Sequence, residues 1–146
     1  MQNKFTDQAR RVLEQAAFAA EVNGHCYIGS EHLLLGLIQV EDCLAGKVLL
    51  NNDVTENKVL NLIYQLIAPD CAVSVKEPAV YTPRVKKILV NAGNEAARFK
   101  ADSIGTEHIL IALLKETDSV ASRLLNTMGV SVKKIYTEPV SYTHLT

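Results

Sequence analysis

The sequence predicts an all-α domain built from two pseudo-twofold four-helix repeats. Three observations predict it. The second half of the chain repeats the first at a constant offset of 76 residues, without a gap from Phe5 to Lys58. Apolar residues recur at helical spacing in both halves. Ser, Thr and Pro stand where helix starts need them, and no strong strand or hairpin signal competes apart from the short "CAVSV" at Cys71 to Val75.

The repeat is read residue by residue. Phe5-Thr6 meets Tyr81-Thr82, and Arg10-Arg11 meets Lys86-Lys87. "IGSEHLLLGL" from Ile28 meets "IGTEHILIAL" from Ile104, so Gly29, Glu31 and His32 meet Gly105, Glu107 and His108. Asp42, Ala45, Leu49 and Val54 meet Asp118, Ala121, Leu125 and Val130. Two copies are too few for a solenoid, which needs about three or more repeats. A pseudo-symmetric pair sharing one core is the simplest solution.

Each element has a local cause. Thr6 caps the first helix, its hydroxyl accepting from a free backbone N–H. Ala9, Val12, Leu13, Ala16, Ala17 and Ala20 form its stripe, and Asn23-Gly24 stops it. In the second half Thr82 caps, and Pro83 takes the first helical position, where its missing N–H costs nothing. The second helix starts at Ser30 or Thr106 and carries Leu33, Leu34 and Leu37, or Ile109, Leu110 and Leu113. Short third helices cover about Leu44 to Leu50 and Val120 to Thr127. A fourth follows the cap Thr55 and uses Val59, Leu62, Ile63 and Leu66; its counterpart follows Ser131 with Val132 and Ile135. The domain therefore reads as residues 1–137, with repeat one at 5–68, a linker at 69–80 and repeat two at 81–137. From Pro139 and a polar end, 138–146 is expected to be a tail, disordered or non-native.

Composition narrows the function classes. Hydrophobic residues are 48% and charged residues 21% of 146, enough for one domain with a core. The formal net charge of −1 offers no positive field to hold nucleic acid. No run approaches the roughly 20 apolar residues of a membrane span, and no secretory leader is readable, so a cytoplasmic location is expected. Cys26, Cys43 and Cys71 are odd in number and scattered, as expected of reduced, buried structural thiols.

With the repeat in hand, "FTDQARRVL" with "GHCYIGSEHLLLGL", and "YTPRVKKIL" with "IGTEHILIAL", resembles the double-repeat N-terminal domain of Clp unfoldases. These are AAA+ ring ATPases of the heat-shock-100 class. "YTPR" together with G-[ST]-E-H in both halves looks most like the ClpC branch. The likeness runs from about Phe5 to Ile135. Lys100-Ala101 departs from it where the first half has Gly24-His25, and Asn52-Asp53 stands where the second half has Met128-Gly129. The resemblance implies a domain that recruits protein substrates and adaptors to an unfolding ring, which feeds a Clp peptidase. The fragment itself is not expected to be an enzyme or to hold a cofactor. A phosphate-cradling loop needs G-x-x-x-x-G-K-[ST], and Gly46-Lys47 is followed by Val48 and lacks the upstream glycine. ATP and Mg are expected only of the motor, which this chain does not carry.

The ClpC branch further implies binding of phosphorylated arginine. That ligand carries an anionic phosphoryl group and a guanidinium. Carrying the family site over puts Glu31 and Glu107 on the guanidinium, with Thr6 and Thr82 holding the phosphate. A carboxylate suits a planar guanidinium, and free N–H groups at a helix start suit an anion. Thr6 precedes Glu31 by 25 residues, as Thr82 precedes Glu107, which suggests one site in each half. Capping and the helix dipole alone also account for these residues. Two other readings stand beside this one: a stand-alone Clp N-domain adaptor, and a ClpB-like disaggregase arm that binds unfolded hydrophobic segments.

No catalytic or metal set is readable. Adjacent Glu-His side chains diverge on a helix, and zinc needs three or four suitably spaced ligands, so His32 and His108 read as packing or hydrogen-bonding residues. Arg10-Arg11 and Lys86-Lys87 read as solvated faces, secondarily as docking points for acidic adaptors.

Overall fold

A computed structural model describes residues 4–40, 42–66, 80–130 and 135. The first repeat holds β1 (Lys4–Phe5), α1 (Asp7–Val22), β2 (Tyr27–Ile28), α2 (Ser30–Gln39), α3 (Leu44–Asn51) and α4 (Glu56–Leu66). The second holds β3 (Val80–Tyr81), α5 (Pro83–Arg98), β4 (Ser103–Ile104), α6 (Thr106–Lys115) and α7 (Val120–Thr127). The all-α class and the helix starts read from the sequence are those observed. The counterpart of α4, "CAVSV" and the tail lie outside the described residues, except Ile135, which is helical and fully buried.

α2 and α6 form the centre. Leu33, Leu34, Leu35, Leu37, Ile109, Leu110, Ile111 and Leu113 have no exposed surface. A helix buried on all sides belongs inside a core, and both central helices pack on members of each repeat. These leucines therefore form no open groove. α1 closes on α2 at Gly36, where an added Cβ would overlap the Val12 carbonyl oxygen. Ala112 takes that place in the second half.

The repeats are also stitched by polar contacts that the sequence did not announce. β1 pairs with β4 and β2 with β3, each a two-residue parallel contact between halves. Ser30 and Thr106 do not cap their own helices. The Ser30 hydroxyl accepts from the Ala121 N–H at 3.0 Å, at the start of α7. Thr106 does the same for the Ala45 N–H of α3 at 3.3 Å. Each repeat thus satisfies an orphan donor of the other's third helix. Cys43 is buried as expected, and its sulfur accepts from the Gly46 N–H at 3.2 Å. Cys26 is exposed, which corrects the expectation of a buried thiol there.

The departures from repeat symmetry leave the backbone path unchanged. Gly24 has φ 72° and its counterpart Lys100 has φ 58°; Gly129 has φ 74° and its counterpart Asp53 has φ 66°. Each turn needs the left-handed region, and in each pair only one half uses glycine for it.

Candidate functional site

The two-residue strand pairs bring opposite halves of the chain together. The Thr82 N–H donates to the Ile28 carbonyl at 3.1 Å, which sets the start of α5 beside Gly29, Ser30 and Glu31. The Thr6 N–H donates to Ile104 at 2.9 Å, which sets the start of α1 beside Gly105, Thr106 and Glu107. The 25-residue spacing suggested Thr6 with Glu31 and Thr82 with Glu107. The fold exchanges these partners, because parallel pairing joins the strand before each second helix to the strand before the opposite first helix.

Glu31 and Thr82 line one pocket of about 280 Å³ with Tyr27, Arg84, Asp118 and Arg123. Two carboxylates, two guanidinium groups and the hydroxyls of Tyr27, Ser30 and Thr82 share this small space. The Glu31 carboxylate folds back over the helix start, so that a Cβ at Gly29 would overlap its Oε1; Glu107 and Gly105 repeat the arrangement. The glycine at each N-cap position is thereby explained: a capping side chain would occupy the carboxylate's place. The Tyr27 hydroxyl donates to Glu31 Oε2 at 3.2 Å.

The histidines take over the capping. The Gly29 N–H donates to His32 Nδ1 at 2.9 Å, and the Gly105 N–H to His108 Nδ1 at 2.9 Å. This is the task of the Glu or Gln in a capping box. With Nδ1 accepting, the proton of neutral His32 sits on Nε2, which lies 2.7 Å from His25 Nδ1. His25 in turn stacks on Tyr27 at 5.4 Å between ring centroids. Burial, reinforced by the charge of His25, lowers the His32 pKa to about 3. Burial also lowers the His108 pKa, against opposing pulls from Glu107 and Glu95. Ala101 stands where the first repeat has His25, and the His108 ring instead stacks on Phe99 at 6.3 Å. Glu31 and His32 therefore face different partners and form no catalytic pair. Among the described residues no three His, Cys, Asp or Glu side chains are grouped to hold a metal.

The threonines cap their helices and keep a donor in reserve. The Val85 N–H donates to Thr82 Oγ1 at 3.2 Å, and the Ala9 N–H to Thr6 Oγ1 at 3.1 Å. In both, the oxygen is used as an acceptor and the hydroxyl hydrogen is left to donate. Sequence reasoning missed Tyr27, Arg84, Asp118 and Arg123. The repeated Asp42 and Asp118 were visible in the 76-residue register, but nothing in the pattern connected them to Glu31. In the first repeat Asp42 is engaged by Arg11 at 3.1 Å and by Gln8 at 3.3 Å. The Arg11 hydrogen bond holds the Asp42 carboxyl below its ordinary pKa.

The repeat architecture and the crossed strand pairs define a two-repeat helical domain whose halves share one core. The chain belongs to the Clp repeat N-terminal domain family, whose model matches residues 4–128 and, as a second match, 80–141. It is 36% identical over 137 residues to the chaperone protein ClpB of Oceanobacillus iheyensis. It is 37% identical over 134 residues to the negative regulator of genetic competence ClpC/MecB of Bacillus subtilis. In both cases 92% of this chain is matched, but it spans only 16% of the relative's length. The N-terminal domain of the chaperone ClpD from Arabidopsis thaliana superposes with a TM-score of 0.81 at 21% identity, covering 95% of this chain and 96% of that one. A ClpV N-domain solved in complex with a VipB peptide superposes at 0.70 with 20% identity, covering 91% and 82%. These likenesses establish the fold as that of Clp N-domains.

Proposed function

We propose that this chain is the substrate- and adaptor-recognition domain of an ATP-dependent Clp unfoldase of the cytoplasm, and that it reads phosphoarginine on proteins destined for the ring. The motor and its Clp peptidase partner belong to the remainder of such a machine. The observation that carries the reading is the pocket in which Glu31 and Asp118 face Thr82, Arg84 and Arg123. Phosphoarginine needs both signs of charge in one cavity: carboxylates for its guanidinium, and cations, a hydroxyl and a helix start for its phosphoryl group. The peptide-bound ClpV N-domain supports a protein ligand for this fold.

Calorimetric titration of the chain with phosphoarginine is expected to give two sites, and the double variant Glu31→Ala, Glu107→Ala to give none. Undiminished binding by the double variant would refute the reading. The ClpB-type relative, matched as well as the ClpC one, favours a second reading, an arm for unfolded hydrophobic segments. A cleft of about 410 Å³ beside Ile38 and the exposed Leu50 is apolar enough for one. Peptide arrays with and without arginine phosphorylation separate the two.

A further inference from the structure

We propose that the two receptors are unequal, that the Glu31/Thr82 pocket is the stronger, and that Arg84 and Tyr27 decide it. The inference rests on the phosphoarginine reading and concerns what the 76-residue register changes between the sites.

At the anionic end, α5 opens with Pro83 and Arg84, whereas α1 opens with Asp7 and Gln8. A guanidinium that can hold a phosphoryl oxygen is thus replaced by a neutral amide, beside an added carboxylate that repels the anion. Arg84 Nη1 lies 3.4 Å from Glu116, but Lys87 lies at the same distance from that carboxylate. Arg84 can therefore turn to a ligand while Glu116 keeps a cation.

At the cationic end the difference has the same direction. Asp42 is held by Arg11 and Gln8, while its counterpart Asp118 lines the Glu31 pocket and has no ion pair among the described residues. Glu31 is 1% exposed and anchored by Tyr27, which is itself stacked on His25. Ser103 and Ala101 stand at those two positions for the second site, and Glu107 is only half-buried. Ser103 lacks the ring that carries the Tyr27 hydroxyl to the carboxylate. Tyr27 is a positioning residue: it fixes the carboxylate that meets the guanidinium, so less ordering remains for the ligand to impose.

The test is a titration of the isotopically labelled chain with phosphoarginine, followed by backbone amide NMR. The amides of Gly29, Glu31, Thr82 and Arg84 are expected to reach half-saturation at about tenfold lower concentration than those of Thr6, Gln8, Gly105 and Glu107. Arg84→Gln should bring the first set to the midpoint of the second, and Tyr27→Phe should move it the same way by a smaller factor. Gln8→Arg should lower the midpoint of the second set, a gain that a damaged fold would not produce. Equal midpoints in the unaltered chain overturn the inference and leave the binding reading standing. No movement in either set overturns the binding reading itself, and this inference with it. An Arg84→Gln chain that keeps the unaltered midpoints overturns the inference that Arg84 decides between the pockets.

Discussion

Lowering the pH tests the capping role of His32. Its Nδ1 accepts from the Gly29 N–H, and its Nε2 already carries the proton shared with His25. A second proton could go only on Nδ1, where it would face the Gly29 N–H inside the core. Burial and His25 accordingly hold the folded-state pKa near 3, against 6.5 for an ordinary histidine. Because the folded value is depressed, the unfolded chain binds this proton more readily. The stability contribution is complete above about pH 6.5 and is lost as pH falls toward the folded value. Between pH 7 and pH 5 the loss from His32 alone is about 2 kcal/mol, at ~1.4 kcal/mol per unit below the unfolded pKa. His108, depressed in the same direction, steepens the fall. Urea unfolding followed by far-UV circular dichroism at pH 7, 6 and 5 measures the slope. His32→Gln should flatten it by about one proton, since glutamine can accept from the same N–H without titrating. Parallel pH dependences for the two proteins would show that His32 is not the group whose protonation destabilises the fold.

Two further perturbations address the fold. Ser30→Ala removes the acceptor of the buried Ala121 N–H and should cost about 1–3 kcal/mol in chemical unfolding; Thr106→Ala should cost less, because its bond is longer. A loss below that of an exposed Ser→Ala control would show that the inter-repeat cap is not used. Lys100→Gly should raise stability by about 1 kcal/mol, since φ at 58° strains a lysine and not a glycine. An unchanged or lower melting temperature would contradict this.

The parts of this molecule legible in its sequence are those governed by neighbours within a turn or two. Thr6 and Thr82 mark helix starts because the cap is a local bond, and Ala9, Val12 and Ala16 mark a face because the period is local. The 76-residue register foretold the duplicated elements for the same reason. What escaped was set by contacts between the halves. Two-residue strands leave no alternation to read, so the pairing of Ile28 with Tyr81 was invisible. With it went the exchange of partners that places Thr82, not Thr6, beside Glu31. Ser30 looked like a helix start and is one, but its hydroxyl serves a helix 91 positions away. His32 read as a packing or hydrogen-bonding residue, but its particular partner, the Gly29 N–H, was hidden because histidine is not the usual residue of a capping box.

The crossed strand pairs have a consequence for how such a receptor can change. A single half supplies one capping threonine and one helix-start glutamate to the sites, but the fold never lets these two meet. Two separate copies of one half, assembled with the same crossing, would make two identical pockets. Any substitution would then alter both at once. Joining the halves in one chain breaks that constraint: Arg84 could stand opposite Gln8, and Tyr27 opposite Ser103, without disturbing the shared core. Covalent duplication here is therefore a source of independence between two sites, as well as of symmetry.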